Sequence, residues 1–107
     1  IETPNDVHAG EFETSTSLAT RPHLVRMSRI HESIPKFSSR YLDFTSKRSV
    51  SWYAHTEKIS DSGVLGDPSK ASAEKGKKLW EIMIAHLVAF VEHLKGMTLE
   101  EIYQKRY

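Results

Sequence analysis

A histidine with carboxylates on both sides stands near the start of this 107-residue sequence. Asp6 precedes His8 by two positions, and Glu11 and Glu13 follow shortly after it. Because imidazole exchanges protons near neutral pH, His8 could act as a general acid or base. Asp6 could orient His8 or contact a substrate, since alternate side chains on an extended segment share a face. It could equally stabilise a turn.

The two glutamates allow two interpretations. Together with His8 they could bind zinc through nitrogen and oxygen donors. We favour a different role, in which the carboxylates stabilise the positive end of a helix that begins here. Glu13 is further predicted to hydrogen-bond the loops around the active site, a supporting role whose loss commonly weakens metal sites. No residue of this chain is assigned as a metal ligand.

A short helix is predicted to position these side chains. Residues 1–7 are expected to be extended, since Pro4 cannot donate a hydrogen bond and biases its predecessor away from helix. Gly10 permits close approach of the backbone, and the helix is expected to continue to about Ala19. Pro22 then ends this helix and begins a short turn.

A long amphipathic helix is predicted over residues 69–95. Apolar residues recur there at three- and four-residue steps, which predicts one buried face. The stripe comprises Trp80, Ile84, Leu87, Val91 and Leu94. Asp67 or Ser69 is the expected cap, and Gly96 is expected to end the helix in the left-handed conformation. A capping-box pattern at 98–101 predicts a final short helix.

The segment between these helices is polar. Residues 28–60 predict a long irregular connection, which is uncommon in a compact domain unless a function or a partner holds it. Within this segment, Val50, Trp52 and Ala54 alternate with other residues, and this period predicts one half-buried strand.

Composition limits the function classes. Fifteen Lys and Arg against fourteen Asp and Glu give a formal net charge of +1, which provides no electrostatic basis for binding nucleic acid or an anionic membrane. Without cysteine, disulfides and thiolate metal sites are excluded, and a cytoplasmic protein is expected. Because the chain starts at Ile1, we expect it to be a fragment of a longer protein.

Two blocks of sequence carry a resemblance to a known family. The first is Asp6–Ser15, which reads DVHAGEFETS and is followed by Leu18 and by RPHLV at 21–25. The second is GVLGDP at 63–68, after which 71–76 opens the long helix. Together the two blocks resemble the C-terminal signature of the creatininase family of amidohydrolases.

The resemblance implies an α/β fold and a two-metal hydrolase of carbon–nitrogen bonds. Residues 1–107 would be the C-terminal portion of a single three-layer α/β/α sandwich, and helices would dominate this portion. In the family, zinc, manganese or iron ions are held mainly by the N-terminal half, and six subunits usually assemble. By this resemblance His8 would be the catalytic proton donor. Asp6 and Gly10 would bind the substrate, and Glu13 would support the site.

We therefore expect part of a metal-dependent hydrolase that cleaves a small cyclic amide or a formamide and is inactive without the N-terminal half. Creatinine is disfavoured as the substrate, since Pro4 and Asn5 replace a tryptophan that lines the pocket of creatininase itself. The chain could instead be a non-catalytic structural or binding subunit that pairs with a separate N-terminal chain. A third alternative is an independent helical interaction domain. Neither nucleic acid nor a membrane is an expected partner.

Overall fold

The computed structural model describes residues 1–34 and 54–104. Three α-helices order this part of the chain: α1 Glu11–Thr20, α2 Ala73–Lys95 and α3 Leu99–Tyr103. Short 3-10 turns occur between them, at Pro22–Leu24, Met27–Arg29, Thr56–Lys58 and Pro68–Lys70. Among the described residues, no helix is both long and apolar enough to cross a membrane.

The described residues supply helices rather than the sheet that an α/β sandwich requires. In these two ranges no strand is present, and isolated antiparallel bridges pair two loop positions with the 65–66 segment. The strand predicted around 50–54 lies almost wholly outside the described residues. The described ends of the connection predicted at 28–60 contain only short turns and one bridged residue.

Helix α1 begins and ends where the sequence predicts. Asp6 accepts hydrogen bonds from the backbone amides of Glu11 and Phe12, at 2.7 and 2.8 Å. These bonds satisfy two of the amide donors that a helix leaves free at its N-terminus. After Thr20 the backbone leaves the helical conformation, and Pro22 begins the next turn. The predicted break and the turn after it are both confirmed.

Helices α1 and α2 cross at a glycine. A Cβ atom on Gly76 would lie 1.9 Å from the carbonyl oxygen of Ser15, so no larger residue fits without separating the two helices. The buried Ser15 hydroxyl accepts a hydrogen bond from the amide of Ser72 at 3.1 Å. Farther along, the Trp80 indole donates to the carbonyl oxygen of Thr16 at 3.2 Å. Backbone contact therefore fixes α2 against α1.

The long helix begins at Ala73, and the predicted range of 69–95 is wrong at its start. Ser72 is the cap, because its hydroxyl accepts a hydrogen bond from the amide of Lys75. Asp67, one of the two expected caps, instead caps the short turn that precedes α2. Extended residues separate this turn from the helix, so the two caps serve two elements.

The end of α2 also differs from the prediction. Gly96 has φ −79° and ψ −9°, which is right-handed backbone, so the expected left-handed termination is wrong. Its amide reaches the carbonyl oxygens of Glu92 and His93, and the last turn of α2 tightens in this way. The capping box between Thr98 and Glu101 is confirmed, and α3 follows it as predicted.

Most of the apolar surface of α2 is exposed in this chain. Gly76 is its only buried residue, whereas several large apolar side chains are between 38% and 61% exposed. These are Trp80, Ile82, Ile84, Leu87, Val88, Phe90 and Val91. At about 1.5 Å per residue, α1 spans about 15 Å and α2 about 34 Å, so α1 reaches only the first part of α2. The predicted buried face is therefore not buried among the described residues.

Candidate functional site

The backbone of His8 is fixed by its pairing with Leu65. The His8 amide donates to the Leu65 carbonyl oxygen at 3.1 Å, and the Leu65 amide donates back at 2.8 Å. Leu65 is buried, and a further bond from the Val7 amide reaches the same carbonyl oxygen. The imidazole itself projects outward, with 63% of the side chain exposed. Backbone hydrogen bonds thus hold the His8 loop in place while its imidazole is exposed to solvent.

Glu13 lies beside the imidazole. Its Oε2 atom is 3.4 Å from Nδ1 of His8 and also accepts a hydrogen bond from the amide of Ala9 at 2.5 Å. Ala9 has φ +49°, in the left-handed region, and the bond from Glu13 helps to hold this unusual turn. Glu13 therefore hydrogen-bonds the loop that carries His8. Its part in catalysis stays a prediction.

Asp6 stands at the start of α1 with both carboxylate oxygens in use. Oδ1 accepts from the Glu11 amide and Oδ2 from the Phe12 amide. Asp6 therefore caps the N-terminus of α1, a role that the sequence analysis did not name. Contact between Asp6 and a substrate stays a prediction.

Two glycines let the 63–68 block approach the His8 loop closely. A Cβ atom on Gly10 would lie 1.9 Å from Oδ1 of Asp6, and one on Gly66 would lie 2.2 Å from the same atom. Gly66 also has φ +150°, a backbone conformation that favours glycine. The sequence predicts the close approach at Gly10, but the matching role of Gly66 was missed. Substrate binding by Gly10 stays a prediction.

Glu11 has a structural role that the sequence analysis missed. Its side chain is fully buried, and Oε2 accepts bonds from the amides of Glu2 and Thr3 and from the Thr3 hydroxyl, at 2.8 to 2.9 Å. Oε1 accepts from Nζ of Lys75 at 2.6 Å. One carboxylate therefore joins the N-terminal segment, α1 and α2.

This network sets the charge states of its members. Burial alone would raise the pKa of Glu11, but hydrogen bonds from Lys75, Thr3 and Glu2 outweigh it and lower the pKa to about 2. Hydrogen bonds to Glu11 and Glu2 in turn raise the pKa of Lys75. Glu11 is therefore ionised at neutral pH, and the pair acts as a charged link between the helices.

The donor set does not fit a resident metal. Within residues 1–34 and 54–104, no three His, Cys, Asp or Glu side chains cluster in a way that could hold an ion. Both oxygens of Glu11 are taken by the Lys75 network, so Glu11 is not free to join His8 in a zinc site. Both glutamates lie in the first turn of α1, as the helix-stabilising interpretation requires.

A shallow groove of about 470 Å³ runs along α1 next to the His8 loop. It is lined by Ala9, Glu13, Thr14, Ser17, Leu24, Val25 and Arg26. A larger groove of about 610 Å³ lies farther along α1, and no histidine or carboxylate lines it. Of these two grooves, the first is lined by a carboxylate, Glu13, which contacts the exposed imidazole of His8.

Comparison with known proteins assigns these elements to a family. The model of the creatininase family, described as creatinine amidohydrolase, matches residues 1–91. The match includes the His8 loop, α1 and most of α2. Searches of curated proteins and of solved structures found no match to this chain.

Proposed function

This chain belongs to the creatininase family, and we propose that it supplies the proton donor of a metal-dependent amidohydrolase. The bond cleaved is a non-peptide carbon–nitrogen bond in a small cyclic amide or a formamide. The observation that carries the proposal is the exposed His8 imidazole, which a fixed backbone presents beside the Glu13 carboxylate.

The proton step follows from the properties of imidazole. When water adds to an amide-like carbon, the departing nitrogen must gain a proton before it can leave as a neutral amine. Protonated His8 gives up this proton and becomes neutral, while the Glu13 carboxylate lies 3.4 Å from its Nδ1 atom. General acid catalysis of this kind contributes about 10²- to 10⁴-fold to rate.

In this proposal, the metal ions are bound by the rest of the enzyme. When bound there, a divalent ion would supply water activation and stabilisation of negative charge. Because the described residues do not form a metal site, we assign zinc, manganese or iron to an N-terminal half of the same enzyme. In this proposal the present chain is the C-terminal half and is inactive alone.

The exposed apolar surface of α2 supports the proposal that this chain packs against further elements of a larger fold. A helix with apolar residues on so much of its surface is expected to be buried between other elements. We propose that the sheet of a three-layer α/β/α sandwich, contributed by the N-terminal half, covers it. We further propose that the complete enzyme is a homohexamer in the cytoplasm. The same apolar surface favours a second candidate, a non-catalytic subunit that pairs with a separate N-terminal chain.

Replacement of His8 by alanine separates these candidates. The complete enzyme, containing both halves and loaded with zinc or manganese, is assayed against a panel of cyclic amides and formamides. For His8→Ala we expect kcat to fall by about 10²- to 10⁴-fold while the bound metal is unchanged. His31→Ala, at an exposed position outside α2, is the matched control and should retain full activity. Equal activity of His8→Ala and the native enzyme would refute the proposed role.

A further inference from the structure

We propose that Glu13 is a positioning residue that keeps the neutral His8 imidazole protonated on Nδ1, so that Nε2 is the nitrogen that exchanges protons. The catalytic meaning of this proposal rests on the proposed function. The protonation pattern of His8 is independent of that function, because it is a property of the protein without any substrate.

Two features of the geometry bear on the imidazole: the backbone of His8 is held in place, and the Glu13 carboxylate contacts Nδ1 without a hydrogen bond while the ring stays exposed. The amide and the carbonyl group of His8 are both bonded to Leu65, so the loop cannot carry the ring away. On the side chain, Oε2 of Glu13 lies 3.4 Å from Nδ1 and is itself held by the amide of Ala9. This separation exceeds the 2.7–2.9 Å of a short charge-assisted bond, and contacts of this kind commonly tighten when substrate binds.

The chemistry of the two groups selects the tautomer. A neutral imidazole has one N–H donor and one nitrogen lone pair, whereas an ionised carboxylate only accepts. Glu13 therefore attracts an N–H on Nδ1 and repels a lone pair there. The charged side chains that line the adjoining groove are Glu13 and Arg26, and Arg26 has no acceptor atom on its guanidinium group.

This tautomer completes the proton balance of the proposed reaction. Cationic His8 has a proton on each ring nitrogen, and the Nε2 proton passes to the leaving nitrogen of the substrate. The ring is then neutral, with its remaining proton on Nδ1 facing Glu13. The proton that the attacking water loses then returns to the Nε2 lone pair and restores the cation.

Nitrogen-15 NMR of the histidine rings tests the proposal. The chain is labelled and measured at a pH where His8 is neutral, and the His8 signals are identified by their loss in His8→Gln. The native protein should show Nδ1–H as its main neutral tautomer. Glu13→Ala should lower the ratio of Nδ1–H to Nε2–H by about two- to fivefold, the size expected for an exposed carboxylate contact. Glu13→Gln should restore the ratio, because its carbonyl oxygen still accepts from Nδ1–H.

Two comparisons keep the outcomes distinct. Glu74→Ala removes another exposed glutamate, in the first turn of α2, and should leave the His8 tautomer ratio unchanged. If Glu13 only held the Ala9 amide, Glu13→Ala would change stability and leave the ratio as it is, and the proposal would be overturned. A main Nε2–H tautomer in the native protein would overturn it as well.

Activity measurements distinguish this proposal from the proposed function. In the complete enzyme, Glu13→Ala should lower kcat with little change in KM, since the substrate is bound by other groups. If the native enzyme hydrolyses no cyclic amide or formamide while its tautomer depends on Glu13, the proposed function fails and the positioning role stands. If hydrolysis occurs and the ratio is independent of Glu13, the positioning role fails alone.

Discussion

The buried Glu11 carboxylate gives the sharpest prediction about stability. In Glu11→Gln, the side chain keeps its size but loses its charge. One acceptor oxygen is replaced by an NH₂ group, which then faces hydrogen-bond donors. Four donors converge on the native carboxylate, from the amides of Glu2 and Thr3, the Thr3 hydroxyl and Lys75. A glutamine has one acceptor oxygen, so at least one of these donors is left facing another donor.

The magnitude follows from the pKa of Glu11. Its lowering from 4.5 to about 2 corresponds to about 3 kcal/mol in favour of the ionised form in the folded protein. Removal of one member of a buried ion pair costs about 3–5 kcal/mol. Because Lys75 retains Glu2 as a partner, at 2.6 Å, we expect the lower end of this range, about 3 kcal/mol at pH 7.

The pH dependence has a definite sign. The pKa of Glu11 is lower in the folded protein than in the unfolded chain, so its contribution is complete well above pH 4.5. It is lost as the pH falls towards 2. The difference in unfolding free energy between the native protein and Glu11→Gln should therefore decrease from about 3 kcal/mol at pH 7 to about 1 kcal/mol at pH 3.

Urea unfolding followed by circular dichroism measures this difference at each pH. Glu74→Gln is the matched control, since Glu74 is an exposed glutamate that pairs with Lys78 at 3.1 Å. It should cost less than about 0.5 kcal/mol at either pH. A loss below about 1 kcal/mol for Glu11→Gln at pH 7, or a loss that does not shrink on acidification, would refute the reasoning.

Two further predictions concern close contacts in the fold. Gly76→Ala places a methyl group against the carbonyl oxygen of Ser15 and should lower the unfolding free energy by about 1–3 kcal/mol in urea unfolding. Gly96→Ala is its control, because a Cβ atom there meets nothing closer than 3.5 Å, and thermal stability should not fall. Asp6→Ala removes two acceptors from the start of α1 and should cost about 1–2 kcal/mol, with amide exchange in the first turn of α1 accelerating before that of α2. Unchanged exchange there would contradict the capping role.

Local signals in the sequence explain the successful predictions. The start of α1, the break at Pro22 and the box at Thr98 each depend on residues within a few positions of one another. The start of α2 was wrong because Asp67 and Ser72 are both good caps, and periodicity alone does not tell which one opens the longer element. The choice depends on the extended residues between them, which pack against α1.

Contacts between distant positions explain what was missed. The charge of Glu11 is stabilised by Lys75, which lies 64 residues away, and no local pattern identifies that partner. The same holds for Gly66, where a Cβ atom would collide with the carboxylate of Asp6, a residue far away in the sequence. His8 and Glu13 were found because a family signature combines positions whose proximity is otherwise visible only in the fold.

Helix α1 has two opposite faces with different neighbours. Glu11, Ser15 and Ala19 are four residues apart and share one face of α1, which contacts α2 and the N-terminal segment. Glu13 and Ser17 lie on the opposite side and line the groove beside the His8 loop. Because the two sets share a helix but few neighbours, changes on the first face should act on folding and changes on the second on proton transfer. A single ten-residue helix can therefore carry both roles without one constraining the residue types of the other.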